Sequence, residues 1–254
     1  MPPRSDLQLA SPWLNAAGTL GFASGKPWPF DAPQGAFVTN PVSRKPREPA
    51  FNRGLIPYAG GFLLHTGLPN PGIKAAIRQN RSRWQRAAVD TWVHILPGLP
   101  PEAAEMVRLL EDCEGVTTVE LGLMTNTPEE DALELLAAAS GELPLVVEID
   151  PGLIKAPWLA QLADLGVSAI HLGAPRGVLP DANGKLTGGR LYGPTLLPQT
   201  LHALQTLLPL GLPVIASGGI YRKEDGELLL AAGAWAVAVD AVLWRGNEEK
   251  EKMN

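Results

Sequence analysis

Six side chains in this sequence, His94, Glu120, Glu148, Asp150, His171 and Asp240, fall at or just beyond the ends of short apolar runs. Carboxylates and imidazoles gathered on one rim are hard-to-borderline metal donors or an acid/base pair. A competing reading pairs Glu120 and Glu148 with Arg44, Lys45, Arg176 or Arg190 and leaves the histidines as packed or loop residues. None of the spacings is a metal signature, so no metal ligand is assigned.

A second constellation lies in the last fifth of the chain. Residues 212–220 form a short apolar run ending in Ser217-Gly218-Gly219, and residues 233–240 form another ending in Asp240. Two amides without side chains at a strand end, followed by a helix start, make a backbone cradle for a phosphate. Loops after the last two strands of a (β/α)8 barrel are the usual place for such a grip. Asp240 opposes that use, because an acid about 4 Å from a phosphate oxygen repels it by roughly 4 kcal/mol at an effective dielectric near 20.

The elements that must position these residues alternate. Strands are expected at 12–15, 35–39, 62–64, 89–96, 116–123, 143–149, 167–172 and in the two runs above; helices are expected at 71–84, 101–113, 128–139, 156–165, 194–208 and 223–232. Asn70 and Thr127 read as N-caps with proline following, and Thr127-Pro128-Glu129-Glu130 reads as a capping box. The long polar loop 40–49 reads as a lid, and the Gly-rich segment 173–193 as a cover for one end. Strand-then-helix alternation implies a parallel sheet, and the length fits one (β/α)8 barrel as a single domain over 1–254, with an N-terminal extension (1–34) and a frayed charged tail (245–254).

Composition narrows the partners. With 45% hydrophobic residues the chain can bury a full core, and a formal charge of −5 without a basic run argues against nucleic acid. A single cysteine, Cys113, excludes an internal disulfide and a cysteine-based zinc site. No apolar run approaches a membrane span and no signal core opens the chain, so the expectation is a cytoplasmic protein acting on a small-molecule ligand. Trp13, Trp92, Trp158 and Trp235 read as core, Trp28 as a packed loop residue, and His65 as a loop imidazole able to touch a ligand.

In order along the chain, Asn15-Ala16-Ala17-Gly18-Thr19, Val38-Thr39-Asn40-Pro41-Val42-Ser43, Thr66-Gly67-Leu68-Pro69-Asn70-Pro71-Gly72, Val119-Glu120-Leu121, Leu145-Val146-Val147-Glu148-Ile149-Asp150-Pro151, Gly189-Arg190-Leu191-Tyr192-Gly193-Pro194 and Ala216-Ser217-Gly218-Gly219-Ile220, followed by Gly233-Ala234, resemble the dihydroorotate dehydrogenase family of pyrimidine biosynthesis. The ordered set covers residues 12 to about 243. It implies a TIM barrel, flavin mononucleotide as cofactor, flavin-linked oxidoreductase chemistry and a homodimer. It assigns cofactor contact to Ala16, Ala17, Gly18, Asn40, Glu148, Ser217, Gly218, Gly219, Asp240 and Ala241, and substrate contact to Thr66, Gly67, Leu68 and Asn70.

Several positions depart from that pattern. Asn40 and Glu148 stand where the family has flavin-facing lysines, and Leu64 where it has a substrate-binding asparagine. Gly122-Leu123-Met124-Thr125-Asn126-Thr127 replaces a segment rich in substrate asparagines; Asp240-Ala241 replaces a Gly-Thr pair at the phosphate. The lid-loop base has only Thr125 or Thr127 as counterparts, so no catalytic residue is assigned. The replacements invert charge where a flavin anion and its phosphate need cations and amides. Two expectations follow: a flavin-linked oxidoreductase on an altered substrate, or a non-redox barrel binding a small anionic metabolite or a metal at its C-terminal mouth without flavin.

Overall fold

The computed structural model describes residues 7–25, 28–123 and 126–244. In chain order the elements are β1 (Trp13–Asn15), β2 (Ala36–Val38), β3 (Gly54–Tyr58), β4 (Gly61–His65), α1 (Ile73–Trp84), β5 (Asp90–Ile95), α2 (Pro100–Glu111), β6 (Val116–Gly122), α3 (Glu129–Ala139), β7 (Leu145–Ile149), β8 (Val167–Leu172), β9 (Arg176–Pro180), β10 (Leu186–Tyr192), α4 (Leu197–Leu207), β11 (Val214–Ser217), α5 (Lys223–Ala231) and β12 (Ala236–Val239). Strands β1, β12, β11, β8, β7, β6, β5 and β2 close in that order into a parallel barrel. This is the expected (β/α)8 architecture. β1 lies inside the stretch anticipated as an extension and bonds to both β12 and β2. The tail 245–254 lies outside the described residues.

Strand alternation sorts the apolar side chains into two cores. Leu14, Ala36, Val38, Trp92, Val146, Ala169, Ile215, Ala236 and Ala238 form one buried cluster that fills the lumen. Their neighbours one residue on or back, such as Phe37, Val93, Val147, Ile170 and Val237, pack in a larger cluster with Met106 and Leu110 of α2 and Leu204 of α4. Both faces of each strand are therefore apolar, which is why the strands read as runs rather than as alternating patterns.

The departures from expectation are local. Residues 156–165 do not form an α-helix: two 3-10 turns, Pro151–Leu153 and Pro157–Gln161, fill that connection, each opened by a proline that supplies no donor. Asn70 and Thr127 do not cap: α1 has Gly72 and α3 has Pro128 at the N-cap, neither with a side-chain cap bond. Residues 62–64 belong to β4, which is not a barrel strand. It lies in a second sheet of order β3-β4-β10-β9, antiparallel throughout. Segment 173–193 is thus an ordered hairpin rather than a loop. Asp181 and Lys185 close its turn through Asp181 N to Lys185 O at 2.8 Å, which sets the register that places Arg176 opposite Arg190.

Candidate functional site

On the inner wall of the barrel's C-terminal end, His94 and Glu120 are register partners on β5 and β6, and Glu148 and His171 on β7 and β8. Trp92, Val146 and Ala169, two residues back along three of these strands, point into the lumen, so the pleat aims these side chains there too. Glu120 accepts from Nδ1 of His94 and from Nδ1 of His171, each at 2.6 Å, with all three side chains removed from solvent. One carboxylate thus fixes both imidazoles with Nδ1 protonated and leaves both Nε2 atoms buried without a hydrogen-bond partner among the described residues. His94 Nε2 lies 3.5 Å from Glu148 Oε2. Arg190 from β10 closes the chain with a fork onto Glu148, at 2.8 and 3.0 Å.

Two glycines make the arrangement possible. A Cβ on Gly122 would collide with His94 Nε2, and one on Gly173 with Glu148 Oε1.

Electrostatics follow from these contacts. Burial opposes the charge on Glu120, but His171 and His94 together outweigh it and hold the carboxyl well below the usual carboxylate range. Glu148 is likewise lowered, with burial overcome by Arg190 and then His94. Burial disfavours the His171 cation, yet Glu120 raises its pKa, and Glu148 adds to that. Tyr192, buried and shielded, is pushed up to about 12.

Asp240 has no such company. It follows β12, is 2% exposed, accepts from the amide of Ala241 and leaves Oδ2 without a partner among the described residues. Burial pushes its pKa up to about 6, against a weaker pull from the amides of Ala241 and Asp240 itself and from His171.

Above the network opens a cleft of about 290 Å³, bordered by Ala17, Gly18 and Asn40 on one side and by Leu64, His65, Thr66, Gly67 and Leu68 on another. Arg47, Arg176, Arg190, Tyr192 and Trp244 also line it, with Pro41, Pro69 and Gly189, and no acid is among the described residues that do. Tyr192 stacks on Phe62 at 5.4 Å and meets Trp244 edge-on at 5.3 Å. Arg176 and Arg190 stand directly opposite each other on neighbouring antiparallel strands. Like charges in that position repel. Arg176 accordingly has its pKa lowered, by burial first and by Arg190 next.

The sequence-derived assignments separate into groups. Ala17, Gly18, Asn40, Thr66, Gly67 and Leu68 border the cleft, and Leu68 adopts φ 55°, strained for a residue with a branched side chain. Asn40 also ties the β2 loop to Gly21, accepting from its amide at 3.0 Å. Ala16 is buried behind the wall, its amide bonded to Val239. Asn70 is buried too; its amide group holds Ser43, Leu68 and Gly72 in place. Thr200 Oγ1 donates toward the carbonyls of Ser217 and Gly218, and a Cβ on Gly219 would collide with the backbone of Leu197. Close packing of α4 on β11 therefore accounts for that glycine.

Of the anticipated acid partners, Arg190 does pair with Glu148, whereas Glu120 takes two histidines instead of an arginine, and Arg44 bonds Glu105 at 2.7 Å. Asp150 Oδ1 caps a 3-10 turn at Gly152. Among the described residues no group of three or more His, Cys, Asp or Glu side chains is arranged to hold a metal ion. Met124 and Thr125 lie outside the described residues. Tyr192, Trp244 and Arg47 were not anticipated at the site.

Flavin mononucleotide fits this residue set only in part. Ala17, Gly18 and Asn40, where the resemblance seats the flavin ring, do border the cleft. At Asp240 and Ala241, where the resemblance puts the phosphate, the Asp240 side chain is buried and already takes the Ala241 amide, and an acid with that amide used does not suit a phosphate.

No family model matches the chain. Its sequence is 29% identical over 255 residues to the dihydroorotate dehydrogenase B (NAD(+)) catalytic subunit of Pelobacter propionicus, covering 92% of this chain and 84% of that protein. Identity to the same subunit of Trichlorobacter lovleyi is 29%, with 92% and 84% covered. The dihydroorotate dehydrogenase A (fumarate) of Lacticaseibacillus paracasei is 29% identical, with 91% of this chain and 87% of that enzyme covered.

Proposed function

We propose that this chain, which resembles the dihydroorotate dehydrogenase family along nearly its whole length, binds a small anionic metabolite in the arginine-lined cleft and does not oxidise dihydroorotate. The inherited class, read from its relatives, is that of flavin-linked oxidoreductases. The observation that carries the proposal is the Arg176–Arg190 pair: two guanidiniums in register, with Arg47 in the same cleft and one carboxylate, Glu148, committed to Arg190. Guanidinium groups keep their charge at any physiological pH, so a bound anion is what relieves the excess.

Dihydroorotate oxidation needs a base beside the reacting carbon and cations beside a reduced flavin. By the resemblance Asn40 and Glu148 stand for two lysines, and the imidazoles that could act as bases are buried, with Glu120 holding both and His94 Nε2 3.5 Å from Glu148. Malonate serves as a probe anion: calorimetry should show it binding, and Arg176→Ala should weaken it by about tenfold, close to 1.4 kcal/mol. Dihydroorotate with added flavin mononucleotide and a dye acceptor should give no reduction.

A second reading is favoured by the position of Ala17, Gly18 and Asn40, which border the same cleft as Thr66, Gly67 and Leu68. A flavin ring on the first wall and a substrate on the second would make an oxidoreductase with an altered substrate. Dye reduction by dihydroorotate, or by another small carboxylate once flavin is added, selects this reading over the first. Among the described residues no helix is long and apolar enough to cross a membrane. The proposal takes the cytoplasm as compartment and a homodimer that leaves the mouth open as assembly; sedimentation checks the latter.

A further inference from the structure

The second sheet extends the cleft. Directly paired residues of antiparallel strands share a face, and alternate residues along a strand do too. Leu55, Leu64, Arg190 and Arg176 form one row across β3, β4, β10 and β9. Val178 pairs with Gly188, and Leu186 with Pro180, placing these on the same face as the two arginines and Tyr192. The opposite face is covered, with Thr187 3% exposed and Leu63 fully buried, while Arg190 and Tyr192 of the first face turn onto the barrel mouth. On the cleft side Leu55, Val178 and Leu186 are 58%, 60% and 70% exposed, large values for aliphatic side chains. This face thus begins at two arginines, of which Arg190 is paired with Glu148 while no described residue lining the cleft pairs Arg176 directly, and it continues along the strands as an apolar strip. From Arg190 to Leu186 it runs roughly 13 Å at the rise of an antiparallel strand.

We infer that the ligand is an amphipathic carboxylate whose anionic head lies between Arg176 and Arg190 and whose apolar chain lies along Val178, Leu186 and Leu55. This rests on the anion-binding reading and narrows its ligand class. The head alone satisfies the charge, and a small dianion leaves the strip bare. A cationic amphiphile would bring its charge against two guanidiniums, and a phosphate monoester without an apolar chain gains nothing from the strip.

The probes are butyrate and decanoate, titrated calorimetrically below the critical micelle concentration of decanoate, with decyltrimethylammonium as the like-tailed cation. Decanoate should bind at one site per chain at least tenfold more tightly than butyrate, since each methylene taken from water adds to affinity, and the cation should not bind. Arg176→Ala should weaken both carboxylates by a similar factor. Leu186→Asp, and separately Val178→Asp, should bring decanoate down to the affinity of butyrate; two surface variants guard against one misfolding. Equal affinity of butyrate and decanoate overturns the inference while leaving the anion cleft intact. Failure of every carboxylate to bind overturns both. A dimer that Leu186→Asp dissociates in sedimentation would show the strip to be covered by a second copy, and that also overturns it.

Discussion

Glu120 and Asp240 are acids on the inner wall of the same barrel, 0% and 2% exposed, and their protons behave in opposite ways. Glu120 is held well below the usual carboxylate range, whereas Asp240 is pushed up to about 6. Burial acts on both in the same direction and is the largest influence on each. What differs is company: two imidazole donors at 2.6 Å for Glu120, and for Asp240 a backbone amide on one oxygen with no partner for the other among the described residues. Depth alone therefore does not set charge in this lumen; partners supplied by neighbouring strands do.

The sharpest way to break that contrast is to remove the shared acid. Glu120→Gln leaves one imidazole facing an amide donor and strips the charge that both histidines use. It should cost about 3–5 kcal/mol of stability, read from urea unfolding, because a buried charge network loses its centre. A loss below about 1 kcal/mol would mean that the histidines do not depend on it.

The reciprocal change should act with the opposite sign. Asp240→Asn removes a charge that the folded state disfavours, so at pH 7–8 it should stabilise the protein by up to about 3 kcal/mol, the equivalent of the upward shift. The sign follows from linkage. With the folded pKa near 6 and the ordinary value at 3.8, the native state gains protons first as pH falls through 6. The penalty in the parent protein then fades, and the two curves should meet near pH 4. Glu120 and Glu148, being lowered, contribute stability that is present above the usual carboxylate range and is lost only as pH falls through their depressed values. His171, being raised, contributes below the usual histidine range and loses its contribution as pH rises through its elevated value.

A smaller effect tests the space around the network. Gly122→Ala puts a methyl against His94 Nε2 and should cost about 1–3 kcal/mol, as overpacking does. Pairing it with His94→Ala should restore most of that loss, whereas additive losses would place the strain elsewhere.

Much of the barrel was legible because its strands are buried on both faces and bounded by Gly and Pro, as in residues 212–220. The lumen acids and histidines were legible for the same reason: each ends an apolar run. The partnership was not. That Glu120 bridges two histidines depends on barrel stagger, which sets His94 level with Glu120 but Glu148 level with Gly122. Arg176 and Arg190 were visible as residues, but their opposition follows from a hairpin that reads as loop until Asp181 and Gly184 are taken as its turn. Counting outward from that turn would have paired the arginines. Nothing local announces Trp244, which reaches Thr19 across the whole chain at 3.0 Å. Thr127 misled because Pro128, in extended geometry with φ −57° and ψ 154°, takes the cap position itself.

Reconstitution with flavin mononucleotide is the most direct test: Glu148, held by Arg190, and Asp240, buried with only a backbone amide, stand where the resemblance would seat a flavin and its phosphate. Purified protein incubated with excess flavin mononucleotide, passed through a desalting column and scanned in the visible should emerge colourless. A stoichiometric yellow complex that survives the column would contradict the account, and would mean that Glu148 and Asp240 turn away from an occupied site.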